Sequence, residues 1–371
     1  MNDSQTQDRL GGVSNGEQRA QLVLLDGQVH VPHAYILSQC YAKPDDIVLA
    51  AGTLVEGIGN QYSDIDAYVV TDRLRRPSEI LPGEHHRVIG KSRSIIHSAL
   101  DDELIYIIHT VVPGTGIKVD VEYITFEDVN SLLDRVSEIF QYAISHPILL
   151  TKYLSEREEN LMHRFFNQVS LQNGDRLNNL LARVPKAHYA YLAYRWNASD
   201  FSVLLDLMGA WSAGELDRAV DLARENLLTQ MAAYIALQGV TNLRRKWLLT
   251  YLERLPPEDS DLRADFMSHF YLEGASTEAG KRAFVESSLD LVDRIYGRSS
   301  PRLAEIPGAP SGAAGLERLE RNHALVGDQT HYAELELEYR AKVYGRPGRP
   351  SREFLGSFGA ARRPQTAPAS R

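Results

Sequence analysis

The sequence carries one cysteine, Cys40, among its 371 residues. That excludes an internal disulfide framework and any cysteine-rich zinc site, and it fits a reducing compartment. No activating group stands beside Cys40, so it reads as a small buried apolar residue at the end of a helix, not as a nucleophile. The chain also lacks an uncharged apolar run of the ~18 residues that a membrane span requires. The opening Met1-Asn2-Asp3-Ser4-Gln5 is polar, with no basic stretch leading into an apolar one. It therefore shows no secretory signal, and a cytoplasmic protein with no membrane partner is expected. Positive charge is in deficit too: 40 Lys and Arg against 49 Asp and Glu leave a net charge of −9. Such a balance argues against a surface that tracks long nucleic acid.

What remains is an ordinary globular composition, 43% hydrophobic and 24% charged, in a chain long enough for two domains. Residues 1–18 are polar and read as a flexible arm. Up to about residue 146 the apolar residues fall in short, β-rich runs, with a strand around Val23-Leu24-Leu25, a helix over 31–43, and further strands at 45–51 and 64–71. Basic, Pro-containing sequence over 73–90 reads as loop. Two apolar runs at 104–112 and 117–125, separated by Pro113-Gly114-Thr115-Gly116, predict a hairpin. From Phe126 the spacing turns helical, with helices expected over 126–145, 147–167, 175–196, 201–211, 213–239, 241–255, 260–296 and 316–344. Ser299–Gly315 reads as a linker, and 345–371, rich in Pro, Gly and Arg, as a disordered tail. Strands followed by helices predict an α+β fold: a mixed-sheet domain over 19–146 and an all-α domain over 147–344.

The most informative stretch is Gly52 to Asp66, GTLVEGIGNQYSDID. A Gly52-Thr53 turn follows an apolar strand, and Asp64 and Asp66 sit two apart at the start of the next one, where alternation sends both carboxylates to one face. Two adjacent acids repel each other, and a hard divalent cation is the usual remedy, held by carboxylates and substrate phosphates. On the hairpin's second strand Lys118, Asp120 and Glu122 alternate with Ile117, Val119, Val121 and Tyr123. For an isolated strand this is simply a solvated face; beside Asp64 and Asp66, Asp120 becomes a third metal ligand.

Gly52-Thr53, Asp64-x-Asp66 and the later Asp120 resemble the nucleotidyltransferase superfamily of DNA polymerase β type. Its pattern is Gly with Gly or Ser, a spacer of about ten, Asp-x-Asp or Asp-x-Glu, and a third acid on a later strand. Thr53 keeps the hydroxyl where Ser is commoner. The resemblance covers residues 45–125 and implies a polymerase β-like domain, Mg²⁺ on Asp64, Asp66 and Asp120, and a nucleoside triphosphate, ATP foremost, as co-substrate. Gly52, Thr53 and Ser63 are then phosphate-side residues. Many relatives carry Arg or Lys shortly after the Gly-Ser pair, where this chain has Val55-Glu56-Gly57. Triphosphate contacts are therefore expected from Lys118, Lys152 and the Arg244-Arg245-Lys246 cluster, each of which also reads as ordinary surface charge.

The helical half is most similar to the aminoglycoside nucleotidyltransferases, whose kanamycin type carries Glu-Tyr-Ala-Gly-Lys-Trp. Asp206-Leu207-Met208-Gly209-Ala210-Trp211 keeps the acid-x-x-Gly-x-Trp spacing, which makes Asp206 the expected general base, although Ala210 replaces the lysine. His85-His86 reads as an exposed loop pair. Tyr189, Tyr191 and Tyr194 read as core aromatics more readily than as pocket lining. The expected activity is Mg²⁺-dependent transfer of a nucleoside monophosphate to a hydroxyl of a small molecule, with antibiotic modification or natural-product tailoring as settings. Transfer to a protein or tRNA hydroxyl, as in toxin-like relatives, and a catalytically silent nucleotide-binding module are the competing readings.

Overall fold

The computed structural model describes residues 20–198, 201–242, 244–326 and 332–357. The expected arm at 1–18 and the last part of the tail lie outside the described residues. In chain order the elements begin with strands β1 (Gln21–Leu24) and β2 (Val29–Pro32), helix α1 (His33–Gln39), and strands β3 (Ile47–Ala51) and β4 (Ile65–Thr71). Strands β5 (Arg87–Gly90), β6 (Ile95–Ile96), β7 (Ile105–Val111) and β8 (Lys118–Thr125) follow. Then come α2 (Phe126–Ser145), α3 (Glu156–Phe166), β9 (Val169–Gln172), α4 (Gly174–Leu181), α5 (Lys186–Asn197), α6 (Phe201–Ala213) and α7 (Leu216–Leu237). The chain continues through α8 (Leu248–Glu253), α9 (Ser260–Phe270), α10 (Glu278–Ala304), α11 (Gly312–Val326) and α12 (Ala333–Ala341).

Two compact units result, the first holding residues up to 130 together with 167–180, the second holding 131–166 and everything from 181 onward. This division differs from a single cut at 146/147. The physical reason is β9: it returns after two helices and pairs antiparallel with β3, Leu49 opposite Ser170 and Ala50 opposite Val169. A four-residue strand between helices carries too short a period to read from sequence.

The first unit is α+β, with a seven-stranded mixed sheet in the order β6-β5-β7-β8-β4-β3-β9 and a separate β1-β2 ribbon. All its pairings are antiparallel except β4 with β8. One face buries Val48, Ala50, Ile65, Ala67, Val69, Ile108, Val119 and Val121 against Ile36 and Cys40 of the α1 region and Leu22, Leu24 and Val31 of the ribbon. Cys40 is fully buried there, and burial pushes its thiol pKa up, as a core residue requires. The expected hairpin forms: Val111 lies opposite Lys118, the Val112 N–H donates to the Ile117 carbonyl at 2.8 Å, and Gly114 and Gly116 supply the left-handed backbone at φ +76° and +74°. Within the stretch expected to be loop, 87–90 forms β5, antiparallel to β7.

The second unit is helical, and several expected helices prove shorter. The expected 147–167 helix begins only at Glu156, where Ser155 and Glu158 form a reciprocal cap, the Ser155 N–H donating to Glu158 Oε2 at 2.8 Å and the Glu158 N–H to Ser155 Oγ at 3.4 Å. The expected 175–196 helix breaks into α4 and α5 around Val184-Pro185, because Pro disfavours helical backbone in the residue before it. In the other direction α10 runs through Pro301 to Ala304, so the expected linker at 299–315 shrinks to 305–311. Ser299 is buried inside that helix and donates to the Ile295 carbonyl at 2.8 Å. Helix α7 buries Ala219, Ala223, Leu227, Met231 and Tyr234 and packs against α5, α6 and α10.

The start of the expected disordered tail is ordered. Residues 351–356 form a 3-10 turn whose Ser351, Phe354 and Leu355 are buried. Lys342 donates to Asp293 and to Ser351 Oγ, both at 2.8 Å, and the Ser351 N–H donates to Asp293 at 2.7 Å. Composition alone hides these few anchors among Pro, Gly and Arg.

Candidate functional site

Backbone register in the first unit sets the chemistry. Strand β3 is buried throughout, as the apolar run Ile47–Ala51 dictates, and it ends at Gly52 with φ +108°. A Cβ at Gly52 would lie 2.7 Å from Asp66 Oδ2 and 3.4 Å from the Asp64 carbonyl, so only glycine lets the turn close on that carboxylate. The loop beyond is tied by its own backbone: the Thr53 carbonyl accepts from the Ile58 and Gly59 N–H groups at 2.9 and 2.8 Å, and Glu56 N–H donates to the Gly52 carbonyl at 3.0 Å. A Cβ at Gly59 would meet the Leu54 nitrogen at 2.8 Å, which makes Gly59 a second obligatory glycine that the motif pattern does not flag. Ser63 closes the far side, its Oγ accepting from the Asn60 N–H at 3.1 Å.

Asp66 faces Asp120 across the parallel pair β4 and β8, and Asp120 faces His109 across the antiparallel pair β8 and β7. Register partners share a face, and neighbouring strands stand about 4.8 Å apart, so Asp66, Asp120 and His109 form a polar row on the face opposite the apolar cluster. The His109 Nδ1–H donates to Asp120 Oδ1 at 2.6 Å, with about a quarter of each side chain exposed. Ladder β4 starts at Ile65, so Asp64 sits one residue before the strand rather than on it. Lys118 is exposed and stands on the same face of β8, two residues before Asp120.

His109 was not singled out by sequence, although the signal existed. Counting outward from the Pro113–Gly116 turn pairs Val111 with Lys118 and therefore His109 with Asp120. His85 is a partner of Tyr41 rather than a free loop residue, Nε2 to hydroxyl 2.8 Å, and burial lowers its pKa; His86 is exposed.

The other expected residues belong to the second unit. Lys152 lies over the Tyr142 ring at 4.9 Å, and Arg244 pairs with Glu156 at 2.8 Å. Arg245 and Lys246 are exposed, Lys246 lying over Trp247 at 5.2 Å. Asp206 occupies the exposed face of α6, between the buried Leu204 and Leu207, and Trp211 of the same helix is overlain by Arg282 at 5.1 Å. Tyr189, Tyr191 and Tyr194 are buried core aromatics.

Among the described residues no three His, Cys, Asp or Glu side chains are gathered as a ready-made cation cage. The donor set nevertheless fits a hard divalent cation: two carboxylates stand side by side, and Mg²⁺ commonly takes one or two carboxylates and completes its shell with water and phosphate oxygens. Among the described residues no helix is long and apolar enough to cross a membrane.

No family model and no curated protein matches the sequence. Among solved structures the chain is similar to a nucleotidyltransferase-like protein from Exiguobacterium sibiricum, at 12% identity and a TM-score of 0.34, over 82% of this chain and 90% of that one.

Proposed function

We propose that this chain is a metal-dependent nucleotidyltransferase that moves a nucleoside monophosphate from a nucleoside triphosphate, ATP foremost, to a hydroxyl of a small molecule of antibiotic or natural-product type. The observation that carries the reading is the pairing of Asp66 with Asp120 on adjacent parallel strands, with Gly52 closed against the Asp66 carboxylate. In this reaction the acceptor oxygen attacks the α-phosphorus, the new O–P bond forms as the bond to the β-phosphate bridging oxygen breaks, and pyrophosphate leaves. Asp66 and Asp120 would hold Mg²⁺, with Asp64 beside them; the cation supplies the positive charge that the triphosphate requires. His109 holds the Asp120 carboxylate in one orientation, and the small Gly52-Thr53 turn keeps side-chain bulk away from it. The acceptor proton needs a base, a role for which the kanamycin-type spacing nominates Asp206.

The test incubates the protein with Mg²⁺ and each α-labelled triphosphate, with and without a panel of aminoglycosides, and measures pyrophosphate and labelled product. Asp66→Asn should lower transfer about a hundred- to a thousandfold with the circular dichroism spectrum unchanged. Asp206→Asn should slow turnover far more than it weakens triphosphate binding; equal losses would assign Asp206 a structural role. Label found on protein or tRNA moves the acceptor to a macromolecule. Triphosphate binding without pyrophosphate release marks a silent module, and neither binding nor release ends the reading.

A further inference from the structure

The helical unit contains a cavity of 140 Å³ that the nucleotidyl-transfer reading does not use. Its floor is apolar, made by Leu228, Ala232, Ile235 and Ala236 on one face of α7, with Leu248 and Tyr251 of α8 opposite. Leu228, Ala232, Ile235 and Ala236 recur at helical spacing, so the hollow runs along the helix where the small side chain of Ala232 leaves room. Its mouth is polar, with Asn197, Asn242, Arg244 and Arg245. Three of these are partly committed. Asn197 Nδ2 donates to the Ala193 carbonyl at 2.9 Å, Asn242 Oδ1 accepts from the Arg244 N–H at 3.2 Å, and Arg244 pairs with Glu156 at 2.8 Å. Arg245 is exposed and forms no ion pair with any described residue.

We infer that this cavity is a binding site for a small aromatic carboxylate. An apolar cavity of about 150 Å³ accommodates one benzene ring, so the hollow has room for a single six-membered ring. A buried ring with a few convergent polar groups at the mouth is the ordinary form of a small-molecule site. The guanidinium of Arg245 presents the planar fork that matches a carboxylate, and Asn242, whose Oδ1 is the group engaged internally, leaves its Nδ2 to donate a second hydrogen bond.

Benzoate and benzyl alcohol are the probes, titrated against the full chain carrying ¹³C-labelled methyl groups. Benzoate should bind saturably and show ring-to-methyl Overhauser contacts with Ile235 and Leu248. Arg245→Gln should weaken benzoate about tenfold and leave benzyl alcohol within about twofold. Ala232→Phe fills the hollow and should abolish both. Contacts only at methyls outside the cavity lining, no saturable binding, or benzoate affinity unchanged in Arg245→Gln overturns the site. Should Ala232→Phe fail to fold, the wild-type contacts and Arg245→Gln decide alone. The outcome is distinguishable from that of the nucleotidyl-transfer test, because benzoate binding is read directly and pyrophosphate release is not.

Discussion

Arg75 in the first unit and Arg195 in the second are both buried, and their charges are balanced by different partners. Arg75 forms an ion pair with Asp46, donates to Thr71 Oγ1 at 3.0 Å and to the Tyr41 and Arg73 carbonyls, both at 3.2 Å, and lies over the Tyr123 ring. Among the described residues Arg195 has no such carboxylate. It donates to the carbonyls of Ala143, His146 and Pro147 at 2.9, 3.0 and 2.9 Å and to the Tyr191 hydroxyl at 3.1 Å. Those carbonyls belong to the last turn of α2 and the residues just after it, where the helix dipole concentrates partial negative charge. The sheet unit therefore uses a full charge to pin strand ends, and the helical unit uses a cation to cap a helix. The consequence for the site follows from topology. Asp46 precedes β3 and Thr71 ends β4, so the Arg75 cluster clamps one end of this antiparallel pair while Gly52 and Asp66 occupy the other.

Removing one partner of the Arg75 pair should have the largest effect on stability. Arg75→Met strands a buried Asp46 and should destabilise the sheet unit by about 3–5 kcal/mol, read by tyrosine circular dichroism in urea. Adding Asp46→Leu should recover most of that loss, since an apolar pair needs no charge balance. If the double variant is no better than the single one, Asp46 is held by the Lys43 N–H, at 2.6 Å, and the ion pair contributes little. Arg195→Met should cost less, about 2–3 kcal/mol, because the carbonyls it leaves are dipoles and not ions. All three tryptophans, Trp196, Trp211 and Trp247, lie in the second unit, so their fluorescence reports this transition without the sheet. No side-chain replacement can rescue it, as backbone carbonyls cannot be mutated away. Equal losses for the two arginines would remove the distinction between an ion pair and a cap.

The same contrast explains what was legible in the sequence. Alternation in a strand has a period of two, so Asp120 was readable on a polar strand face, but its place beside Asp66 rested on the family resemblance, since β4 and β8 pair in parallel and no turn sets their register. The hairpin register alone pairs His109 with Asp120, yet the 104–112 run reads as apolar and hides it. Asp46 and Arg75 stand 29 positions apart in sequence, in a turn and a loop, and no local pattern links them. In the helical unit the 3.6 period identified most helices and Pro185 marks the break between α4 and α5, but the late start of α3 and the run of α10 through Pro301 are not set by local sequence. The cavity beneath Arg245 arises where α7 meets α8, a juxtaposition that neither helix encodes by itself.

Glu79 gives the smallest effect and sharpens the comparison from the exposed side. It accepts from Arg73 through two contacts, at 2.7 and 2.8 Å, from the Arg76 N–H at 2.9 Å and from Lys43 at 3.2 Å. The Arg73 guanidinium foremost holds its carboxyl well below the usual range, from 4.5 down to about 2. A carboxyl whose folded pKa lies below its unfolded one binds protons more readily when unfolded. Its stabilisation is therefore complete above about 4.5 and is lost as pH falls through about 2. Because Arg73 is 58% exposed, solvent screens the pair and its net worth is small. Glu79→Gln should leave urea stability nearly unchanged at pH 2 and lower it slightly at pH 7, flattening the acid limb of the wild-type curve. A flat difference between pH 2 and 7 would assign the loss to the geometry of the 73–79 loop, whose Arg73 carbonyl accepts from Arg75, and would make Glu79 a support of the buried cluster instead of a separate surface pair.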